Sequence, residues 1–182
     1  MLAYSSIAHV GYMLMGLLAG ESFGLTAILF YLMAYCLMNF GVFWIVCMVH
    51  DETGSSDLKA FSGLGWRSPV LGVCMAIFLF SLTGIPMFSG FIGKFLLFSS
   101  LLKSQGFLWL AILGVLNSVV SLYYYAKILK SVWLEQPHQV KPLHVSLYHA
   151  VGVVALAIPT ILLGLFFGPV IRLAQSSLAA FL

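Results

Sequence analysis

Between Arg67 and Lys103 the sequence carries one charge, Lys94, inside the run FLFSLTGIPMFSGFIGKFLLFSSLL. An apolar stretch of this length calls for a bilayer or a large core, and desolvating an amine in its middle is costly in either. Composition decides for the bilayer, because 62% of residues are apolar and 7% charged, against roughly 25% charged in soluble domains. An ionisable residue inside a membrane segment marks a functional site by default. Just before it, Gly84-Ile85-Pro86-Met87-Phe88-Ser89-Gly90 combines residues at which helices break. A proton-binding amine beside an interrupted helix points to ion or proton transport.

Several functional classes fall away. The net charge of +3 arises from eight basic and five acidic residues, and the aromatics lie inside apolar runs rather than among basic residues, so no nucleic-acid partner is expected. Gly93-Lys94 is not a phosphate loop, since Phe95 stands where Ser or Thr is needed and Phe88 where the leading glycine belongs. His138, His144 and His149 have no paired-ligand spacing, and no metal site is expected. Cys36, Cys47 and Cys74 lie singly in apolar runs and read as reduced, small apolar side chains.

The apolar runs predict helices over 2–20, 24–49, 70–85, 88–102, 107–134 and 148–172. The segment from His50 to Asp57, extended by Lys59 and Arg67, reads as an aqueous loop, and Ser68-Pro69 as a helix start. Pro159 is the expected kink of the last run. Glu21 and Glu135 sit at run ends and read as solvated. The expected fold is all-α: one transmembrane domain over residues 1–182, a polytopic bundle of about six membrane helical segments broken by Gly and Pro near Lys94. The 70–85 and 88–102 runs are short for the hydrocarbon thickness. They are either two short spans, or the Lys94 run is half of a discontinuous helix. Were every run to cross, Lys59, Arg67, Lys103 and Arg172 would lie on one side and Lys127, Lys130 and Lys141 on the other, too even a split to orient the bundle.

Polar residues recur at helical spacing within these runs. Ser5, Ser6, His9 and Tyr12 share one face; Tyr31, Tyr35 and Asn39 another; Asn117, Ser121, Tyr124 and Tyr125 a third. Each seam alone is explained by hydrogen-bonded helix association. Three seams with a histidine and a lysine also describe a hydrated path, because histidine exchanges its proton near neutral pH and desolvation favours the uncharged amine. Lys94 sits centrally in its run, which argues against snorkelling to the interface, whereas Lys127 and Lys130 lie near a run end and suit interfacial anchoring.

LAYSSIAHVGY, YLMAYCLMNFGVFWI, DLKAFSGLGWRSPVLG, SLTGIPMFSGFIGKF and SVVSLYYYAKIL occur in that order. Together they resemble the subunit N family of proton-pumping NADH:quinone oxidoreductase, respiratory complex I, over residues 2 to about 130. SSIAH and GIPMFSGFIGK are shared with antiporter-like membrane subunits more widely. SLYYYAKI favours subunit N over a multisubunit cation/proton antiporter subunit. The resemblance implies that Lys94, in GFIGK, carries protons and that His9, in SSIAH, is a relay. Tyr12, Tyr35, Asn39, Asn117, Ser121 and Tyr124 would support the polar axis, with Gly84, Pro86 and Gly90 forming the helix break.

The resemblance further implies that this chain binds no cofactor, with NADH, FMN, iron–sulfur clusters and quinone belonging to other subunits of the complex. Its partners would be the lipid bilayer and other membrane subunits of a respiratory complex, and its location the bacterial inner membrane as a multi-pass protein. Family members are longer, with further helices before LAYSS that carry a glutamate and more lysines of the path. The expectation is therefore a C-terminal portion of such a subunit, or the product of a gene with a truncated or misassigned start. Two alternatives remain open: a cation/proton antiporter subunit, and a non-transporting structural membrane piece.

Overall fold

Helix α2, Ser22–Thr53, is the axis on which the other elements are hung. At about 1.5 Å per residue it is longer than a roughly 30 Å hydrocarbon core requires, so its last turn carries His50-Asp51-Glu52-Thr53 beyond the apolar run. Those four residues are helical rather than the expected loop. The helix closes with Gly54 at φ +70°, whose N–H donates to the His50 carbonyl at 2.7 Å.

The computed structural model describes residues 1–20, 22–103, 106–136, 143 and 145–179. Glu21, His138, Lys141 and His144 lie outside the described residues. The remaining helices are α1 (Leu2–Leu18), α3 (Leu64–Arg67), α4 (Pro69–Thr83), α5 (Ser89–Lys103), α6 (Leu108–Leu134), α7 (Leu147–Leu165) and α8 (Gly168–Ala179), with a 3₁₀ turn at Leu58–Phe61. Among the described residues there is no strand, so the all-α expectation stands. Three helices, α2, α6 and α7, are long and apolar enough to cross a membrane. A fourth crossing arises if Leu58–Arg67 and α4, bent by 119°, count as one.

A stripe of α2, including Tyr31, Ala34, Met38, Val42, Ile45 and Val49, is fully buried and packs against α1, α4, α5, α7 and α8. Lipid tails are as apolar as these side chains, so close packing rather than hydrophobicity holds the helices together. Glycine supplies the closeness: a Cβ on Gly24 would lie 2.4 Å from the Gly16 carbonyl oxygen, and one on Gly93 2.3 Å from the Tyr31 ring.

The 70–85 and 88–102 runs become α4 and α5, which run in series. The first turn of α4 brings Gly72 onto Gly65 and Trp133. Toward the end of α5, Leu97 meets Gly16 of α1, and Lys103 lies 4.0 Å over the Phe23 ring at the start of α2. Helix α6 starts at that second end, with Gly114 on Phe98 and Met15, and returns to the first. There Ser131 meets Ser62 and Leu58. This overturns the sorting of basic residues derived from six separate crossings. Lys59 and Arg67 share one end of the bundle with the C-terminal end of α6, which carries Lys130, and Lys103 lies at the other.

The Leu58–Arg67 segment is also less aqueous than expected, because Phe61, Leu64 and Ser62 are buried. Glu135 is half-buried rather than solvated, and its Oε2 accepts from Ser62 Oγ at 2.9 Å and Ser131 Oγ at 2.7 Å. Ser131→Ala removes one of these two donors and the Ser131 Oγ contact to the Leu58 carbonyl. It should lower stability by about 1–3 kcal/mol, the cost of stranding buried acceptors, read as a lower melting midpoint of the purified full-length protein. An unchanged midpoint would show that the junction is dispensable.

Helix α7 runs continuously through Pro159; its partition from α8 comes instead at Phe166 and Phe167, just before Gly168-Pro169. Gly164 explains the placement. A Cβ there would lie 2.2 Å from the Met87 carbonyl oxygen, so α7 ends against the gap between α4 and α5. Met87 itself holds φ +82°, a backbone conformation that costs a non-glycine residue roughly 1–3 kcal/mol.

Candidate functional site

The α4–α5 break creates the seat for Lys94. Gly84 takes the left-handed cap position at φ 90°, which glycine adopts without a Cβ penalty. Ending a helix leaves its last carbonyls without intrahelical donors, at the negative end of the helix dipole. The Lys94 side chain, buried on the first half of α5, reaches back and donates from Nζ to the Leu82 carbonyl at 2.9 Å and the Thr83 carbonyl at 3.0 Å. Ser81 and Ser89 tie the two halves across the gap, Oγ to Oγ at 3.2 Å, and the Gly90 N–H donates to Ser81 Oγ at 3.0 Å. Gly84 and Pro86 lie in the break as expected. Gly90 lies inside α5, where it permits close approach to Ser81 rather than breaking the helix.

Tyr12 covers the amine. Lys94 Nζ is 5.0 Å from its ring centroid, an electrostatically favourable placement over the π-face. The Tyr12 hydroxyl accepts from Asn117 Nδ2 at 3.0 Å and Ser118 Oγ at 3.2 Å on α6. One turn along α6, Ser121 Oγ donates to the Asn117 carbonyl at 2.9 Å and receives the Tyr124 hydroxyl at 3.0 Å.

Beside Tyr12 lies His9, whose ring meets Tyr12 edge-on at 5.7 Å and stacks on Tyr35 at 5.1 Å. Both of its nitrogens are engaged: Nδ1 with the Tyr31 hydroxyl at 2.6 Å and Nε2 with the Tyr125 hydroxyl at 3.1 Å. Tyr125 is hydrogen-bonded in turn to Ser5 Oγ. A neutral imidazole donates through one nitrogen and accepts through the other. The series Ser5–Tyr125–His9–Tyr31 is thus a continuous chain of groups that both donate and accept, lying in protein that is otherwise apolar.

Most of the residues singled out in the sequence therefore meet: Lys94, His9, Tyr12, Tyr35, Asn117, Ser121 and Tyr124. Asn39 does not; it is half-buried and makes no side-chain hydrogen bond with a described residue. Tyr31, Tyr125 and Ser5 are the missing members. Their signal was present, since each sits in a polar seam at helical spacing, but spacing does not say which seam member faces another helix. The Leu82 and Thr83 carbonyls are invisible to any reading by side chain. Among the described residues no three His, Cys, Asp or Glu side chains gather. His149 is half-buried, its Nδ1 accepting from Trp44 Nε1 at 3.1 Å.

Tyr31→Phe and Tyr125→Phe each delete one hydroxyl from the chain with little change of shape. Each should cost about 1 kcal/mol of stability and slow proton movement through the site several-fold. The Tyr125 change should have the larger effect because it separates His9 from Ser5. Equal, wild-type proton flux in both variants would show that the chain is only packing.

Residues 1–121 match the family described as "NADH:quinone oxidoreductase/Mrp antiporter, TM". The chain is 50% identical to NADH-quinone oxidoreductase subunit N 2 of Sorangium cellulosum, over 93% of this chain and 34% of the relative. It is 43% identical to NADH-quinone oxidoreductase subunit N of Chlorobium chlorochromatii, over 100% of this chain and 36% of the relative. It thus spans about a third of the length of these curated relatives. In structure it is similar to a chain of respiratory complex I from Thermus thermophilus, with TM-score 0.78 and 31% identity over 94% of this chain and 38% of that one. It shares its fold with a chain of the Mrp complex from Dietzia, at TM-score 0.87 and 24% identity over 96% of this chain and 41% of that one.

Proposed function

Since this chain belongs to the NADH:quinone oxidoreductase/Mrp antiporter membrane family, we propose that it forms part of the proton-translocating membrane arm of an NADH:quinone oxidoreductase. The observation that carries the proposal is the seat of Lys94: a buried amine held by the freed carbonyls of a broken helix and joined through Tyr12 to the His9 chain. Lys94 takes up and releases the proton. His9 passes it along the Tyr31 and Tyr125 hydroxyls, while Tyr35, Asn117, Ser121 and Tyr124 maintain a polar lining. Electron transfer, with NADH, FMN, iron–sulfur clusters and quinone, belongs to other subunits, and the partners are membrane subunits of that respiratory complex and the surrounding lipid. The location is the bacterial inner membrane. About six membrane segments are α1, α2, α4, α5, α6 and α7–α8, with α4 and α5 the two halves of one discontinuous passage.

A second reading, an antiporter subunit that exchanges cations for protons, is favoured by the fold shared with the Mrp complex chain. Inverted membrane vesicles carrying the full-length subunit separate the two. Acidification driven by NADH and sensitive to changes at Lys94 is expected. Sodium-dependent proton movement without NADH, equally sensitive to Lys94, would instead establish the antiporter, and insensitivity of both would leave a structural piece.

A further inference from the structure

An open groove of about 570 Å³ runs along the outside of the bundle between α4 and α6. Its walls are apolar side chains, among them Ala76 and Phe80 of α4 and Ala126 and Leu129 of α6; Lys130 is its one charged member. The groove has two chemically different ends. At one, the Phe80 and Phe88 rings pack at 6.0 Å beside the α4–α5 break. At the other stand Trp133 and Leu134, with Lys130 about one turn further in. Trp133 is met edge-on by Trp66 at 6.3 Å, and Trp66 Nε1 donates to the Trp133 carbonyl at 3.1 Å. Trp66 is 71% exposed.

Paired indoles with apolar bodies and polar N–H groups belong at the boundary between hydrocarbon and headgroups. The groove runs along α6 for about 12 Å, the rise of eight helical residues between Leu134 and Ala126; Lys130 stands halfway along it, with a stem long enough to carry its amine out to the level of the indoles. Lys130 is exposed and pairs with no described carboxylate. Glu135, five residues on, is turned to Ser62 and Ser131.

We propose that this groove binds one acyl chain of an anionic phospholipid, with its phosphate on the Lys130 amine at the level of Trp133 and the chain running on toward Ala126 and Phe80. The division is what a lipid presents: a long apolar tail and, at a fixed depth, a negative charge. An apolar partner helix or a neutral isoprenoid could fill the walls but would leave Lys130 without a counter-charge. The groove ends beside the α4–α5 break and shares no residue with the Lys94–His9 chain.

Native mass spectrometry of the full-length subunit in mild detergent tests this. The subunit is titrated with palmitoyl-oleoyl phosphatidylglycerol and with phosphatidylcholine of the same chains. Phosphatidylglycerol should bind more tightly by about fivefold, the factor one lysine contributes near an anionic lipid. Lys130→Gln should erase that preference and Lys127→Gln should keep it. Ala126→Trp, or Ala76→Trp from the opposite wall should the first fail to express, fills the groove and should weaken both lipids about tenfold.

Four results would overturn the assignment. The preference could survive in Lys130→Gln. The groove-filling variant could bind both lipids as before. Inorganic phosphate could displace phosphatidylglycerol, which would mean a bare anion site without a chain groove. Finally, Ala126→Trp could release a co-purifying polypeptide while lipid binding is unchanged, which would mean that a protein covers the face.

Discussion

Replacing Lys94 by methionine in the full-length subunit is expected to lower NADH-driven proton translocation about tenfold or more, toward the scale on which a positioned proton-transfer group acts. Methionine retains an unbranched apolar stem but has no proton to carry and no donor for the Leu82 and Thr83 carbonyls. That second loss complicates the result, because an unpartnered buried acceptor costs about 1–3 kcal/mol. A drop in pumping with Lys94→Met alone would therefore fit a lysine that merely caps α4.

Lys94→Arg separates the two roles. Arginine supplies donors for the same carbonyls but does not release its proton in a protein. Acidification of inverted vesicles reads the flux, and native gels of the solubilised membranes read assembly. A cap-only lysine would be rescued by arginine. A carrier would give an assembled complex that does not translocate through this site. Normal coupling in either variant would sink the carrier role.

The second large effect is expected at Gly90. A Cβ added there would lie 1.9 Å from the Ser81 carbonyl oxygen, and the obstacle is backbone rather than the end of a flexible side chain. Gly90→Ala must push α4 and α5 apart, at a cost of about 3 kcal/mol. It should also disturb the Gly90 N–H bond to Ser81 and, through α5, the reach of Lys94 to α4. The melting midpoint of the purified subunit should fall by several degrees and proton flux with it. Gly11→Ala is the control: nothing lies within 4 Å of a Cβ there, so the change should be neutral or stabilising by up to about 1 kcal/mol. Equal midpoints for the two variants would mean that the α4–α5 joint is looser than its geometry indicates.

These two residues also mark how far the sequence can be read. Lys94 stands out because a charge in an apolar run is rare and expensive, and that cost is visible without coordinates. Gly84 and Pro86 announce a break because their backbone preferences are local. Gly90, by contrast, looks like a third breaker and is a helical contact residue, since close approach depends on which backbone arrives opposite it. Pro159 sits within the continuous helix α7, and the chain divides beyond it, at Phe166 and Phe167 beside the packed Gly164–Met87 contact. His9 was legible by its chemistry, but its partners Tyr31 and Tyr125 became distinct from Asn39 only once three helices were placed together.

What the amino-acid order determined by itself is everything governed by local cost: a membrane chain, all-helical, with one amine out of place and an interruption just before it. What the tertiary structure decided is everything that needs two elements to meet. It set α4 and α5 in series, gave the Lys94 amine the carbonyls of Leu82 and Thr83, and put a tyrosine hydroxyl on each nitrogen of His9. The reason is physical. Transfer cost and backbone propensity are properties of a residue and its chain neighbours, whereas a hydrogen bond across helices depends on register, rotation and distance, which the packed bundle supplies.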